Sequence, residues 1–283
     1  MPITAVDGGA ISGIKPLSRS WTYWKVASQA MILTGEQDNQ NVVPDYVRYH
    51  INTALSHLVD LLNIASAPHY GINIAASLEG TAHSSGVDYI DLTSGINVAN
   101  FIHTIKRVSF PKGTINTQFS GNAAYFDLAA ILTQRANINT QNRMSIWWNH
   151  FGNYIFLFIG KSIASAVNTN DTTYTLGNPT IFAYRQPLLD DMLDPENSVT
   201  FKYSDTPGIS EYIDLPDRYV KLLVDMVSVA IIQQRKEPVP GELQQTVNQG
   251  LALLSKNIGD AIQLAQKEQQ ERRYGMPQRS IQE

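Results

Sequence analysis

The stretch IDLPDRYVKLLVDMVSVAIIQQR, residues 213–235, decides the reading of the whole chain. Asp214 suits an N-cap. Pro216 and Asp217 suit a first helical turn, where a missing N–H costs nothing and a carboxylate meets the positive end of the helix dipole. Tyr219, Leu222, Leu223, Met226, Ala230 and Ile231 recur at helical spacing on one face. Val220, Val224, Val227, Val229 and Ile232 carry the apolar surface almost all the way round. A helix that is apolar on every side has to be buried, so other helices are needed to cover it.

Two other segments supply them. In residues 44–67, Val47, Ile51, Ala54, Leu55, Leu58, Leu61, Leu62 and Ile64 follow helical spacing behind Pro44. APHYG then ends the run, because a residue before proline is pushed out of the helical region. After the turn KEPVPGEL a long helix is predicted over residues 241–273, with Leu243, Val247, Leu251, Leu254, Ile258, Ile262 and Ala265 on one stripe. Between the first and second of these helices the composition changes. INIAASL, VDYIDL, IHTIKRVSF, NYIFLFIGKSI, TYTLG, TIFAYRQPL and VTFKY are short runs rich in β-branched and aromatic residues, punctuated by Gly, Pro, Asn and Asp. AAYFDLAAILTQR, residues 123–135, has helical spacing instead and is expected as a helix lying on the sheet. The predicted class is α+β: a helical bundle with a β-rich domain inserted between bundle helices. The expected parts are an arm over 1–42, a bundle from 43–69 plus 214–273, a β-rich insert over 70–213, and a loose tail over 274–283. WTYWKVASQAMILTG, residues 21–35, reads as a short aromatic helix within the arm.

The 283 residues can bury a large core. A net charge of −4 argues against wrapping nucleic acid tightly, which needs a basic excess. With no cysteine there is no disulfide, thiolate metal site or Cys nucleophile. The first twenty residues lack the basic start and apolar core of a signal peptide, and YIFLFI, the longest apolar run, is too short to cross a membrane.

Candidate chemistry is sparse. The histidines are scattered, and His50 and His57, seven residues apart, lie two helical turns from each other, too far for one metal ion. DDMLDPEN, residues 190–197, crowds carboxylates without the alternate-residue spacing of a calcium loop. FIGKSI ends like a phosphate-binding loop, but Ile155 stands where its first glycine is required. HSSG reads as a polar turn. No nucleophile elbow, HExxH or GxGxxG is present. No catalytic residue, metal or cofactor is therefore expected. The candidates that remain are interface residues: Trp21 and Trp24 in the arm, Trp147 and Trp148 in the aromatic stretch SIWWNHFGN, and Tyr219, Leu223, Met226 and Ile231 on the apolar helix. For Leu223 and its neighbours on that helix, a place in the subunit's own core is the competing role.

ISEYIDLPDRYVKLLVDMVSVAIIQQR, preceded by WWNHFGNYIFLFIGKSI and TIFAYRQPLL, resembles the head-to-tail connector proteins of tailed bacteriophages, the adaptor, tail-accessory or ring proteins, and most nearly the ring proteins of crAss-like phages. The resemblance implies a non-enzymatic structural virion protein, made in the host cytoplasm. It implies a homo-oligomeric ring of about twelve copies that joins portal to tail proteins. Genomic DNA would pass through the channel without tight binding, and no membrane would be involved. Two other readings stand beside it: a fibre or decoration module of the virion whose β-rich domain binds glycans, and an enzyme with no recognised motif.

Overall fold

The computed structural model describes residues 2–3, 15–36, 43–64, 68–76, 82–84, 86–92, 102–110, 121–126, 145–160, 173–189, 203–208 and 211–274. The carboxylate cluster at 190–197, residues 127–135 of the helix expected over 123–135 and most of the C-terminal tail lie outside them. The protein is of mixed α+β class. It divides into two compact units, one comprising Met1–Ile14 with Tyr70–Gln186 and the other Lys15–His69 with Pro187–Glu283. Residues 15–36, read from sequence as part of an arm, thus group with the helices.

The second unit holds helices α1 (Tyr23–Leu33), α2 (Asp45–Ile64), α3 (Asp217–Gln234) and α4 (Gly241–Tyr274). Helix α3 packs against each of the other three. Its Val220, Leu223, Val227, Ser228 and Ile231 are fully buried, as are Val47, Ile51, Leu55, Leu58 and Val59 of α2 and Val26, Ala27 and Ala30 of α1. Helix α4 contributes Val247 and Leu254 to this core. At Gly250, α4 lies close against α3: a Cβ there would lie 2.6 Å from Leu222 Cδ1.

The start of α3 departs from the sequence reading. The helix begins at Asp217 with Pro216 in the cap position, and no side chain caps it. Asp214 does different work. It is completely buried and accepts from the backbone N–H groups of Leu17 (3.2 Å) and Leu188 (2.8 Å), joining three segments far apart in sequence. Asp217 accepts from the hydroxyls of Ser18 and Ser20, each at 2.6 Å. Those two hydrogen bonds hold its carboxyl below the usual carboxylate range.

The far ends of α1 and α3 are built alike. At α1, Gly35 has φ 76, and the N–H groups of Gly35 and Glu36 donate to the carbonyls of Ile32 and Met31. At α3, Lys236 takes the left-handed position with φ 60, and Lys236 and Glu237 donate to Gln233 and Ile232. Both are Schellman ends, which satisfy the last helical carbonyls. Arg235 then ties the two together. Its Nη1 and Nη2 each donate to the Thr34 carbonyl at 3.1 Å, and Nη2 lies 2.7 Å from Glu36 Oε1. The Tyr46 hydroxyl at the start of α2 donates to the other Glu36 oxygen at 2.5 Å. Burial, with the Glu36 hydrogen bond and charge added, pushes the Tyr46 phenol up to about 12.

The first unit is made of strands β1 (Pro2–Ile3), β2 (Gly71–Ala75), β3 (Ala82–Ser84), β4 (Gly86–Asp91), β5 (Ile102–Phe110), β6 (Gly121–Asn122), β7 (Ala124–Tyr125), β8 (Ser145–Phe151), β9 (Tyr154–Gly160), β10 (Thr173–Thr175) and β11 (Thr180–Arg185). They form a five-stranded sheet in the order β1-β4-β9-β8-β7, a four-stranded sheet β2-β11-β5-β6, and the pair β10-β3. Strands β8 and β9 meet in a two-residue hairpin, with Gly152 at φ 59 as a type II′ turn requires. The inner faces of the two larger sheets share one core. Ile90, Ile146, Trp148, Ile155, Leu157 and Ile159 come from the first, and Ile74, Ile105, Val108, Ile181 and Ala183 from the second. Ala124 and Tyr125 lie in a strand, not in the helix expected from residue 123 onward. They run parallel to Trp147 and Trp148 of β8, and pairing along a strand overrides the helical spacing there.

Candidate interaction surface

The structure separates the interface candidates. Leu223 and Ile231 are buried in the core of the helical unit, while Tyr219 and Met226 are half-buried. Trp147 and Trp148, adjacent in sequence, face opposite sides of their sheet because side chains alternate along a strand. Trp148 sits in the shared sheet core, and Trp147 packs with Phe158, Phe126 and Phe156 on the other face. They do not form one joint patch.

Trp21 and Trp24, also half-buried, line clefts beside α1. Helix α1 starts where Thr22 accepts from the Lys25 N–H at 3.2 Å, and the Ser18 hydroxyl accepts from the Trp21 N–H at 2.9 Å. One side of the helix, Tyr23, Val26, Ala27, Ala30 and Met31, is buried. The Tyr23 hydroxyl is anchored on the Leu188 carbonyl. Elsewhere on the helix, apolar residues face out, with Ile32 and Leu33 each 55% exposed.

Two clefts adjoin Trp24. An apolar one of about 480 Å³ runs along α1 past Trp21, Trp24, Ser28, Gln29 and Ile32. A more polar one of about 350 Å³ is lined by Trp24, Lys25, Tyr203, Asp205, Glu211 and Tyr212, among others. Tyr203 meets Trp24 edge to face at 4.9 Å between ring centroids, and its hydroxyl donates to Asp205. That carboxylate raises the phenol above its ordinary range. Lys25 reaches back to the Ser20 carbonyl at 2.9 Å. The surface combines rings, aliphatic carbon and a few charges at the edge, the make-up of a protein contact. Tyr203, Ile32 and Leu33 carry no local signal that marks them in the sequence, because their place depends on which side of α1 the core covers.

Among the described residues, two further titratable groups are shifted, and neither is paired with a catalytic partner. Burial lowers His150, partly offset by the Gly152 backbone, and raises Asp225, partly offset by Lys221. Among the described residues no group of three His, Asp or Glu side chains is placed to hold a metal ion, and no described helix is long and apolar enough to cross a membrane. No protein-family model matches the sequence, and no curated protein is similar to it at a significant level.

Proposed function

We propose that the chain is a structural ring protein of a phage head-to-tail connector, in which a helical bundle carries an inserted β-rich domain. Helix faces of adjacent subunits close the ring by heterologous contacts around a DNA channel, and the rotation between subunits sets the copy number. Portal protein sits on one side of the ring and tail proteins on the other. The single observation that supports this best is α1: one face is locked into the core, while exposed Ile32 and Leu33 and half-buried Trp21 and Trp24 present apolar surface, with Trp21, Trp24 and Ile32 lining a cleft of about 480 Å³. Rings and aliphatic groups concentrated at one surface mark protein contacts. The test is light scattering coupled to size exclusion on the wild type and on Trp24→Asp and Ile32→Asp. Multimers that fall to monomers, with far-ultraviolet dichroism unchanged, support the reading. Multimers unaffected by either change place the contact elsewhere.

A second reading, a virion binding module, draws on the outward face of the five-stranded sheet. Phe151 is 70% exposed there, next to Tyr154, which meets Tyr89 edge to face at 5.3 Å. Aromatic faces of this kind stack on sugar rings. Glycan-array binding that Phe151→Ala removes would favour it.

A further inference from the structure

The four-stranded sheet carries a second feature, on the face turned away from the shared core. Strand β5 loses register with β11 twice. Phe182 pairs with Arg107 and Ala183 with Ile105, which leaves Lys106 as an extra residue. Tyr184 pairs with Thr104 and Arg185 with Ile102, which leaves His103 extra. A regular strand would send Lys106 and Arg107 to opposite faces, and a bulge breaks that alternation and re-aims side chains. Both cations end up exposed and set against rings of the neighbouring strand. Lys106 Nζ lies 5.4 Å from the Tyr184 ring centroid, and Arg107 Cζ lies 5.8 Å from that of Phe182. The two rings meet edge to face at 5.6 Å.

The other described residues of this face are neutral, and several carry hydrogen-bonding groups. In register, Asn73 lies opposite Phe182, Ser109 opposite Thr180, and Asn122 opposite Ser109. Among the described residues in this row there is no carboxylate, although the chain as a whole has a net charge of −4. Rings beneath long cationic side chains restrict them before any ligand arrives. A guanidinium, an ammonium, amides and hydroxyls on a flat sheet are the groups that hold phosphate oxygens without reading sequence. We infer that this face is a contact surface for the phosphodiester backbone of nucleic acid. Binding is weak and independent of sequence, because two cations neutralise few phosphates. The inference does not rest on the ring reading: it concerns one sheet of one subunit, and either can fail alone.

The experiment is fluorescence anisotropy of a labelled duplex of about 20 base pairs with the full chain, across about 50 to 200 mM salt. Two phosphate contacts give a slope of about −1.8 in log affinity against log salt, hence about a 12-fold loss over that range. The double variant Lys106→Gln/Arg107→Gln is expected to lose that dependence while its dichroism spectrum and melting point stay as in the wild type. Asn73→Asp, which sets a carboxylate opposite Phe182, is expected to weaken binding by a separate route. No duplex binding at the lowest salt overturns the inference, as does an unchanged salt slope in the double variant. Tighter binding of a polyglutamate peptide than of a duplex of equal charge assigns the face to an acidic protein and also overturns it.

Discussion

Arg235 offers the sharpest check on how the helices are held. It lies 201 residues from its acceptor at Thr34, so no local propensity accounts for the bond. Its side chain and that of Glu36 are 28% and 23% exposed, so the pair is partly screened by solvent. Surface ion pairs contribute about 0 to 1 kcal/mol, while breaking a buried one costs about 3 to 5. Hydrogen bonds to charged groups contribute about 1.5 to 3 kcal/mol. Arg235→Met keeps the aliphatic stem and removes the guanidinium, so a loss of about 2 kcal/mol in urea unfolding is expected. In a double-mutant cycle with Glu36→Gln the coupling is expected to be about 1 kcal/mol, and the contacts with the Thr34 carbonyl and Glu237 account for the remainder. A loss below about 0.5 kcal/mol with no coupling would show that the ends of α1 and α3 are not tied in this way.

Leu223, fully buried in α3, gives a second test: Leu223→Ala is expected to cost about 3 to 5 kcal/mol by chemical denaturation, and Leu223→Asp to prevent soluble folding. Lys236 pays for a left-handed backbone that glycine adopts freely. Lys236→Gly is therefore expected to raise stability by up to about 1 kcal/mol, and a lower melting temperature would contradict this. Asp217 has a depressed folded pKa. Its contribution is complete above the unfolded carboxylate range and is lost as pH falls through the folded value, so Asp217→Asn should flatten the acid limb of the stability profile. Tyr46 runs the other way. Its proton is held to about 12, so its contribution is full below the ordinary tyrosine value near 10 and is lost as pH rises from there. Tyr46→Phe should remove a step near pH 12 from the phenolate absorbance titration.

Periodicity made the helices legible. Residues 45–64, 217–234 and 241–274 carry long apolar stripes, and those stripes predict the observed elements to within a few residues. What periodicity does not contain is the partner of a polar group. Asp214 looks like a cap because it precedes a helix with proline at its start. Its carboxylate instead serves Leu17 and Leu188, and only the folded chain brings those N–H groups near. Ala124 and Tyr125 show the complementary failure: good helical spacing yields to pairing with β8. Trp147 and Trp148 stand out by residue type, whereas the face each one takes follows from the alternation of side chains along β8. Nor does the sequence reveal the pair Lys106 and Arg107, because the bulge that brings them together is a property of the register between β5 and β11. The α1 surface was half legible: Trp21 and Trp24 stand out by residue type, whereas Ile32, Leu33 and Tyr203 acquire meaning only once the buried side of α1 is known.

The proposed function turns on assembly of the chain into a ring. Native mass spectrometry of the purified chain, with negative-stain images of the same sample, tests it most directly. Closed rings of about a dozen copies are the predicted result. A discrete trimer or dimer that does not grow into a ring when portal protein is added would contradict it.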